Sequence, residues 1–253
     1  MKSDVYNCDC VEYMKGLPDK CFTLAIADPP YGDGHGGGGT IDLARDSTAT
    51  RKNYPPLARH YTFGMRKRNK NYENRRNLGG EIRKKIVGWD EAPSQEFFEQ
   101  LFRVSKHQII WGANYFNNMP ATRCFIVWRK LTISENFSMA MAEYAWTSFE
   151  GNAKVVEMAP QGNPKDPRFH PTQKPVELYA WVIRNYAKPG DTIFDPMMGS
   201  QSSRIAARKL GYDYVGCELD KEYFDKGCAR YERECLGITV AENGKRYQQT
   251  ALF

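Results

Sequence analysis

Asp28, Pro29, Pro30 and Tyr31 follow one another directly after the apolar run 22–27. A carboxylate beside a backbone carbonyl offers two hydrogen-bond acceptors, and the tyrosine adds a ring on which a planar group can stack. Consecutive prolines have fixed φ and no N–H, so the tetrapeptide reads as a stiff loop that ends a strand. In open α/β sheets the loops outside the carboxyl ends of the strands face the ligand. A second loaded stretch is Thr192-Ile193-Phe194-Asp195-Pro196-Met197-Met198-Gly199-Ser200, which runs into a predicted helix at 202–210. Strand, small-residue turn and helix in that order point backbone N–H groups and a positive helix end at a ligand, and Gly199 allows close approach. The strand predicted at 214–217 ends at Glu218, about twenty residues past the turn, where a carboxylate can accept from both hydroxyls of a ribose. Together these features describe a nucleotide-type pocket. A third stretch, Phe169-His170-Pro171-Thr172-Gln173-Lys174-Pro175, reads as a helix start with proline near its first turn.

The elements that must position these residues follow the same order. Residues 3–7 predict a strand, 11–17 a helix closed by Pro18, and 22–27 the strand that carries Asp28. Pro93 and Ser94 open a helix whose apolar residues Phe97, Phe98, Leu101, Phe102 and Val104 share one face. Strands are predicted at 108–111, 124–128 and 143–147, and Gly112 to Phe116 reads as a strand-to-helix turn at the sheet's rim. A further helix covers 176–186. Between Gly32 and Gly88 there is no period, and the glycine-rich run 34–39 has too much backbone freedom for regular structure. That segment reads as a mobile insertion, since long structureless loops are usually functional or disordered.

With 253 residues and 41% apolar content the chain suits one large α/β domain with an insertion. No apolar run approaches the roughly 20 residues that span a bilayer, so a soluble, cytoplasmic protein with no membrane contact is expected. Seven scattered cysteines suit reduced, buried thiols better than a disulfide framework. Cys8 and Cys10 have no second pair at zinc spacing, and no metal is expected. The net charge of +6 is uneven: residues 51–88 hold twelve Lys and Arg against Glu73 and Glu81, a local +10 that leaves −4 on the rest. A basic block with interleaved Tyr54, Tyr61, Phe63 and Tyr72 is the footprint of a polyanionic partner, and nucleic acid is favoured over a merely solvated loop.

Asp-Pro-Pro-Tyr, His-Pro-Thr-Gln-Lys-Pro and Asp-Pro-Met-Met-Gly-Ser, in that order, closely resemble the motifs of S-adenosylmethionine-dependent DNA amino-methyltransferases. The order is similar to the circular arrangement called the beta class. Trp111-Gly112-Ala113-Asn114-Tyr115-Phe116 and Glu143-Tyr144-Ala145-Trp146 also look like that family, especially its small phage-borne and restriction–modification members. The resemblance covers residues 1–31 and about 89–235 and leaves 33–88 outside. It implies a Rossmann-like α/β fold with a mixed seven-stranded sheet, helices on both faces, and a catalytic domain formed by 1–32 and 89–240. It also implies S-adenosylmethionine as cofactor and methyl transfer to an exocyclic amine of a flipped base in double-stranded DNA.

By that resemblance Asp28, Pro29, Pro30 and Tyr31 would be catalytic. Asp28 and the Pro29 carbonyl would hold the amine hydrogens, Pro30 would keep the loop stiff, and Tyr31 would stack on the base. Asp195, Met197, Gly199 and Ser200 would line the methionine half of the cofactor and Glu218 its ribose. Thr172, Gln173 and Lys174 would meet its carboxylate, and Asp9 would lie near its adenine unless it caps a turn. In the family an aspartate at the first motif position goes mostly with adenine N6 and a serine with cytosine N4, so Asp28 points to adenine. The alternatives are cytosine N4, an RNA base, or a DNA-binding module with an inactive pocket. Protein glutamine methylation is less favoured, because related enzymes of that kind carry Asn at this position. The family turn usually has a second glycine where this chain has Gln201, whose side chain is expected to point outward.

About twenty residues, 149–168, separate the strand near 143–147 from the His-Pro motif, which leaves little room for the recognition region the family commonly places there. The insertion 33–88 is therefore expected to contact DNA, with Arg66, Lys67, Arg68, Arg75 and Arg76 as candidate contacts. Residues 241–253 read as a tail. Its end, Gln249-Thr250-Ala251-Leu252-Phe253, resembles the Gln-x-x-Leu-Phe peptides that dock on the bacterial sliding clamp, with Gln249, Leu252 and Phe253 as the anchors; a frayed end is the alternative.

Overall fold

The computed structural model describes residues 1–32, 91–117, 119–134, 140–160, 168–240 and 245–248. Strands β1 (Ser3–Asn7), β2 (Phe22–Ala27), β3 (Ser105–Trp111), β4 (Phe125–Lys130), β5 (Ala142–Thr147), β6 (Lys154–Met158), β7 (Thr192–Asp195) and β8 (Asp213–Glu218) form one mixed sheet in the order β1-β8-β7-β2-β3-β5-β4-β6. β1, β8, β7, β2 and β3 run parallel, β5 is antiparallel to both β3 and β4, and β6 runs parallel to β4. The expected count of seven strands is corrected to eight in this sheet among the described residues. The added strand, β6, comes from the 149–168 segment; it lies at the sheet's edge, where Val155 is 63% exposed, and so lacks the apolar run of a central strand.

β2 shows why both sheet faces are covered. Its alternating side chains send Leu24 and Ile26 into one apolar core and Ala25 and Ala27 into another. The first core is closed by helices α3 (Val176–Tyr186) and α4 (Ser202–Leu210), the second by α1 (Cys10–Lys15) and α2 (Gln95–Val104). α2 starts where the Ser94 hydroxyl accepts from the Phe97 N–H at 3.3 Å, and it buries Phe97, Phe98, Leu101 and Val104. α5 (Lys221–Tyr231) starts at Asp220, which accepts from the N–H groups of Glu222 and Tyr223.

β9 (Ile238–Val240) and β10 (Arg246–Gln248) pair as an antiparallel hairpin, so part of the stretch expected as a tail is a strand. The basic segment 33–88, with Arg66, Lys67, Arg68, Arg75 and Arg76, and the clamp-like anchors Gln249, Leu252 and Phe253 lie outside the described residues. The seven cysteines are free thiols; Cys10, Cys124 and Cys217 are buried, Cys21 is exposed, and the rest are intermediate. Among the described residues no helix is long and apolar enough to cross a membrane, and no cluster of side chains could hold a metal ion.

Candidate active site

Strand connections leave in opposite directions from the β2–β7 pair: β3 lies beyond β2, whereas β8 and β1 lie beyond β7. This is a switch point, where the loops after two adjacent parallel strands part and leave a crevice. A cavity of about 430 Å³ opens there. Asp28 to Tyr31, which follow β2, line it from one side; Met197 to Ser200, which follow β7, line it from the other together with Glu218 at the end of β8. Asp9, Thr172, Gln173 and Lys174 also line it. The structure thus gathers around one cavity every expected site residue that it describes except Asp195, which stands behind the turn.

On the β2 side the charges are buried and tightly paired. Lys174, whose side chain is 5% exposed, contacts Asp28 Oδ2 and lies 3.2 Å from Glu143 Oε2. Lys130 at the end of β4 donates to Glu143 Oε1 at 2.6 Å. The Tyr31 hydroxyl donates to Asp28 Oδ1 at 3.1 Å and stands 3.5 Å from Glu143 Oε2. Burial pushes the Asp28 carboxyl above its ordinary range, with Lys174 opposing and Glu143 adding to the rise. Burial acts on Glu143 in the same sense, but Lys174 and Lys130 outweigh it and hold that carboxyl below its ordinary range. Burial likewise holds the Tyr31 hydroxyl protonated, helped by the charges of Asp28 and Glu143, so it remains a donor.

The ring of Tyr31 is buried and stacks on Tyr115, with centroids 4.8 Å apart and planes 11° from parallel. Tyr115 closes the 3-10 turn Ala113–Tyr115 and is 45% exposed. The turn begins at Gly112, in the left-handed region at φ +67°, where a Cβ would fall 2.0 Å from the Tyr31 ring. Glycine is therefore required twice at this position, by its backbone and by the ring beside it.

On the β7 side the carboxylates are held by hydroxyl and N–H groups. Asp195 Oδ2 accepts from the Ser203 hydroxyl at 2.5 Å and Oδ1 from the Met197 N–H at 3.1 Å. Its burial nevertheless lifts the carboxyl to about 7. Glu218 accepts from the Gly199 N–H at 2.8 Å and from the Asp220 N–H at 2.9 Å, and burial raises its carboxyl as well. Asp9 caps α1 with Oδ1, which accepts from the N–H groups of Val11 and Glu12 at 2.7 and 3.1 Å. Gln173 accepts from the Phe169 N–H at 3.4 Å, and Thr172 Oγ1 lies 3.2 Å from His170 Nδ1.

Gln201 departs from expectation. Its side chain is wholly buried rather than turned outward, although its backbone is left-handed at φ 60°. The amide donates to the Phe224 carbonyl at 3.2 Å and accepts from Arg204 at 2.8 Å. Room for it exists because residue 227 is glycine: a Cβ there would lie 2.7 Å from Gln201 Cγ. Arg230, 1% exposed, donates to the Ser200 carbonyl at 2.7 Å and so braces the same turn from behind. Single-residue reasoning misses Lys130 and the role of Glu143, because a lysine ending a strand and a glutamate starting one carry no local signal. Only the pairing of β4 with β5 brings them together, with Trp128 opposite Glu143.

The residues present fit S-adenosylmethionine. Glu218 faces the cavity at a strand end with acceptor capacity left on both oxygens, and Leu219 beside it, an apolar cavity-lining side chain, is 70% exposed and offers a flat group cover. Sequence comparison agrees with this architecture. The type II methyltransferase M2.DpnII of Streptococcus pneumoniae is 40% identical over 65 residues, which is 26% of this chain and 24% of that relative, so the match spans about a quarter of the relative's length. A Thermus thermophilus protein crystallised with S-adenosyl-L-methionine shares the fold at TM-score 0.50 and 16% identity, covering 93% of this chain and 95% of that one. The PvuII DNA methyltransferase, described as cytosine-N4-specific, shares it at TM-score 0.51 and 13% identity over 97% and 94% of the two chains. The profile of the N6/N4 DNA methylases matches residues 51–229. That range takes in residues 51–88, which the motif-by-motif resemblance left out, and starts after Asp28 to Tyr31. Matched over well more than half its length, the chain belongs to the DNA methylase family.

Proposed function

We propose that this protein transfers a methyl group from S-adenosylmethionine to the N6 amine of an adenine flipped out of double-stranded DNA. The observation that carries this reading is the placement of the Asp28–Tyr31 loop and the Met197–Ser200 turn on facing walls of one cavity. Bound there, the cofactor supplies an electrophilic methyl on a sulfonium. An exocyclic amine is a poor nucleophile because its lone pair is delocalised into the base. The Asp28 carboxylate and the Pro29 carbonyl accept the two amine hydrogens and so favour a pyramidal nitrogen with its lone pair toward the methyl. As the methyl passes from sulfur to nitrogen the amine turns acidic and gives up one proton, which Asp28, already hydrogen-bonded to it, accepts; no strong base is needed. Tyr31 supports the base by stacking, worth about 1–3 kcal/mol against an unpairing cost of a few. In this structure the ring of Tyr31 stacks on that of Tyr115. Asp195, Met197, Gly199 and Ser200 hold the methionine half of the cofactor, Glu218 its ribose, Thr172 and Gln173 its carboxylate; Lys174, expected beside them, has its ammonium against Asp28 and Glu143 instead, and Asp9 borders the adenine.

The aspartate at position 28 supports adenine, since the family itself takes in both N6 and N4 methylases. The cytosine-N4 specificity of the PvuII fold relative keeps N4 transfer as the second reading. Incubating the protein with unmodified plasmid DNA and methyl-labelled cofactor, then separating the nucleosides, tests both. Labelled N6-methyladenine is expected; N4-methylcytosine would move the assignment to the second reading, and an unlabelled digest would sink both. The basic block 33–88 is the proposed DNA contact, and its deletion is expected to abolish DNA binding while sparing cofactor binding. Docking of Gln249, Leu252 and Phe253 on a sliding clamp is a separate proposal, checked by pull-down with and without residues 249–253.

A further inference from the structure

Lys174 creates a conflict that the transfer reaction has to resolve. It contacts the carboxylate of Asp28, the group that must accept hydrogens from the incoming amine. A lysine buried to 5% exposure cannot simply let go of that carboxylate, since an unpaired buried ammonium is strongly disfavoured. Two features supply a place for it. Glu143 Oε2 already lies 3.2 Å from the same nitrogen, and the faces of Trp111 and Tyr31 lie 5.5 and 5.9 Å from it. Glu143 is held ionised by Lys130 on its other oxygen, so it is ready to take the full charge. The four groups Lys130, Glu143, Lys174 and Asp28 alternate in sign and sum to zero.

We propose that Glu143 is a positioning residue, the second seat onto which Lys174 shifts so that Asp28 is released to the target amine. This inference rests on the methyl-transfer reading above. The shift breaks no covalent bond and needs no proton transfer: Lys174 keeps its charge, its ring contacts and one carboxylate throughout. Without the second seat Asp28 is the only carboxylate left to the ammonium, with the Tyr31 hydroxyl 3.5 Å away as a neutral partner, and the amine must compete for it.

The test uses single-turnover methyl transfer to unmodified plasmid DNA, with enzyme saturated with labelled S-adenosylmethionine and in excess over sites. Glu143→Gln is expected to slow transfer by about tenfold or more while cofactor affinity, read by calorimetry, changes little. That variant leaves Lys130 unpaired, so Glu143→Gln/Lys130→Met, which restores charge balance and removes the stranded cation, is measured beside it. A second seat for Lys174 is absent from both, and both are expected to be slow. If Glu143 only satisfied Lys130, the double variant would recover. A double-variant rate nearer the wild type's than the single variant's overturns the proposal, as does a Glu143→Gln rate within about threefold of wild type. Wild-type protein that labels no base would instead remove the methyl-transfer reading itself.

Discussion

Two sets of buried carboxylates lie on either side of the β2–β7 boundary, and they are compensated differently. Asp28 and Glu143 meet the ammonium groups of Lys174 and Lys130. Asp195 and Glu218 meet a serine hydroxyl and backbone N–H groups. An ammonium cancels a charge, whereas an N–H dipole only disperses it. The β2 side is therefore close to neutral, which suits an uncharged base, and the β7 carboxylates, raised by burial and with no ammonium among the described residues to balance them, are left for a cationic cofactor carrying sulfonium and ammonium groups to compensate. The same residue type serves two ends, set by its neighbours rather than by its burial.

The largest effect expected from breaking this contrast is on the β2 side. Asp28→Ala should lower the methyl-transfer rate by about a thousandfold or more, while calorimetry shows the cofactor still binding, since the loss falls on an interaction made with the reacting amine. A rate within about tenfold of wild type would show that Asp28 is not the acceptor.

Behind the β7 side, the contrast depends on a turn held rigid by Gln201. Gly227→Ala would press a Cβ against that buried amide and should cost about 2 kcal/mol of stability in a denaturant melt. Gln201→Gly in the same chain should return most of it, because glycine both vacates the space and accepts the left-handed backbone. Equal and additive losses in the two single variants would mean that the two positions are not coupled.

A smaller and pH-dependent effect is expected at Asp195. Its carboxyl lies at about 7 in the fold against an ordinary 3.8, so the folded state holds that proton more tightly than the unfolded chain does. The stability this confers is full below the ordinary value and is lost as pH rises through about 7. Asp195→Asn never ionises, so its melting temperature should exceed that of the wild type by a margin that grows between about pH 4 and 7 and is level above, worth roughly 1–2 kcal/mol. Cofactor affinity should move the opposite way, weakening by about tenfold as the negative charge is removed. A stability gap independent of pH would show that Asp195 titrates normally.

Much of this contrast is legible in the sequence on the β7 side and less of it on the β2 side. Asp195, Gly199 and Glu218 are spaced along one strand-turn-helix-strand unit, and local spacing is what a linear reading resolves. Asp28 stands out because two prolines mark it. Lys174 stands out too, yet its contacts with Asp28 and Glu143 do not, since they depend on how strands from distant parts of the chain pair. Gln201 reads as facing outward because its neighbour in the fold, Gly227, stands a helix and a strand away in sequence. β6 escapes a linear reading because a short edge strand needs no apolar run.

The hydroxyl of Tyr31 lies against a glutamate 112 positions away and a lysine 143 positions away. Contacts of such separation close large loops at an entropic cost. The ion network around Asp28 is consequently complete only once strands from distant parts of the chain have paired. A chain still emerging or partly folded can carry Asp28 to Tyr31 and yet have no ion network to steady them. On the proposed methyl-transfer reading, competence to modify a base thus doubles as a check that the sheet has closed.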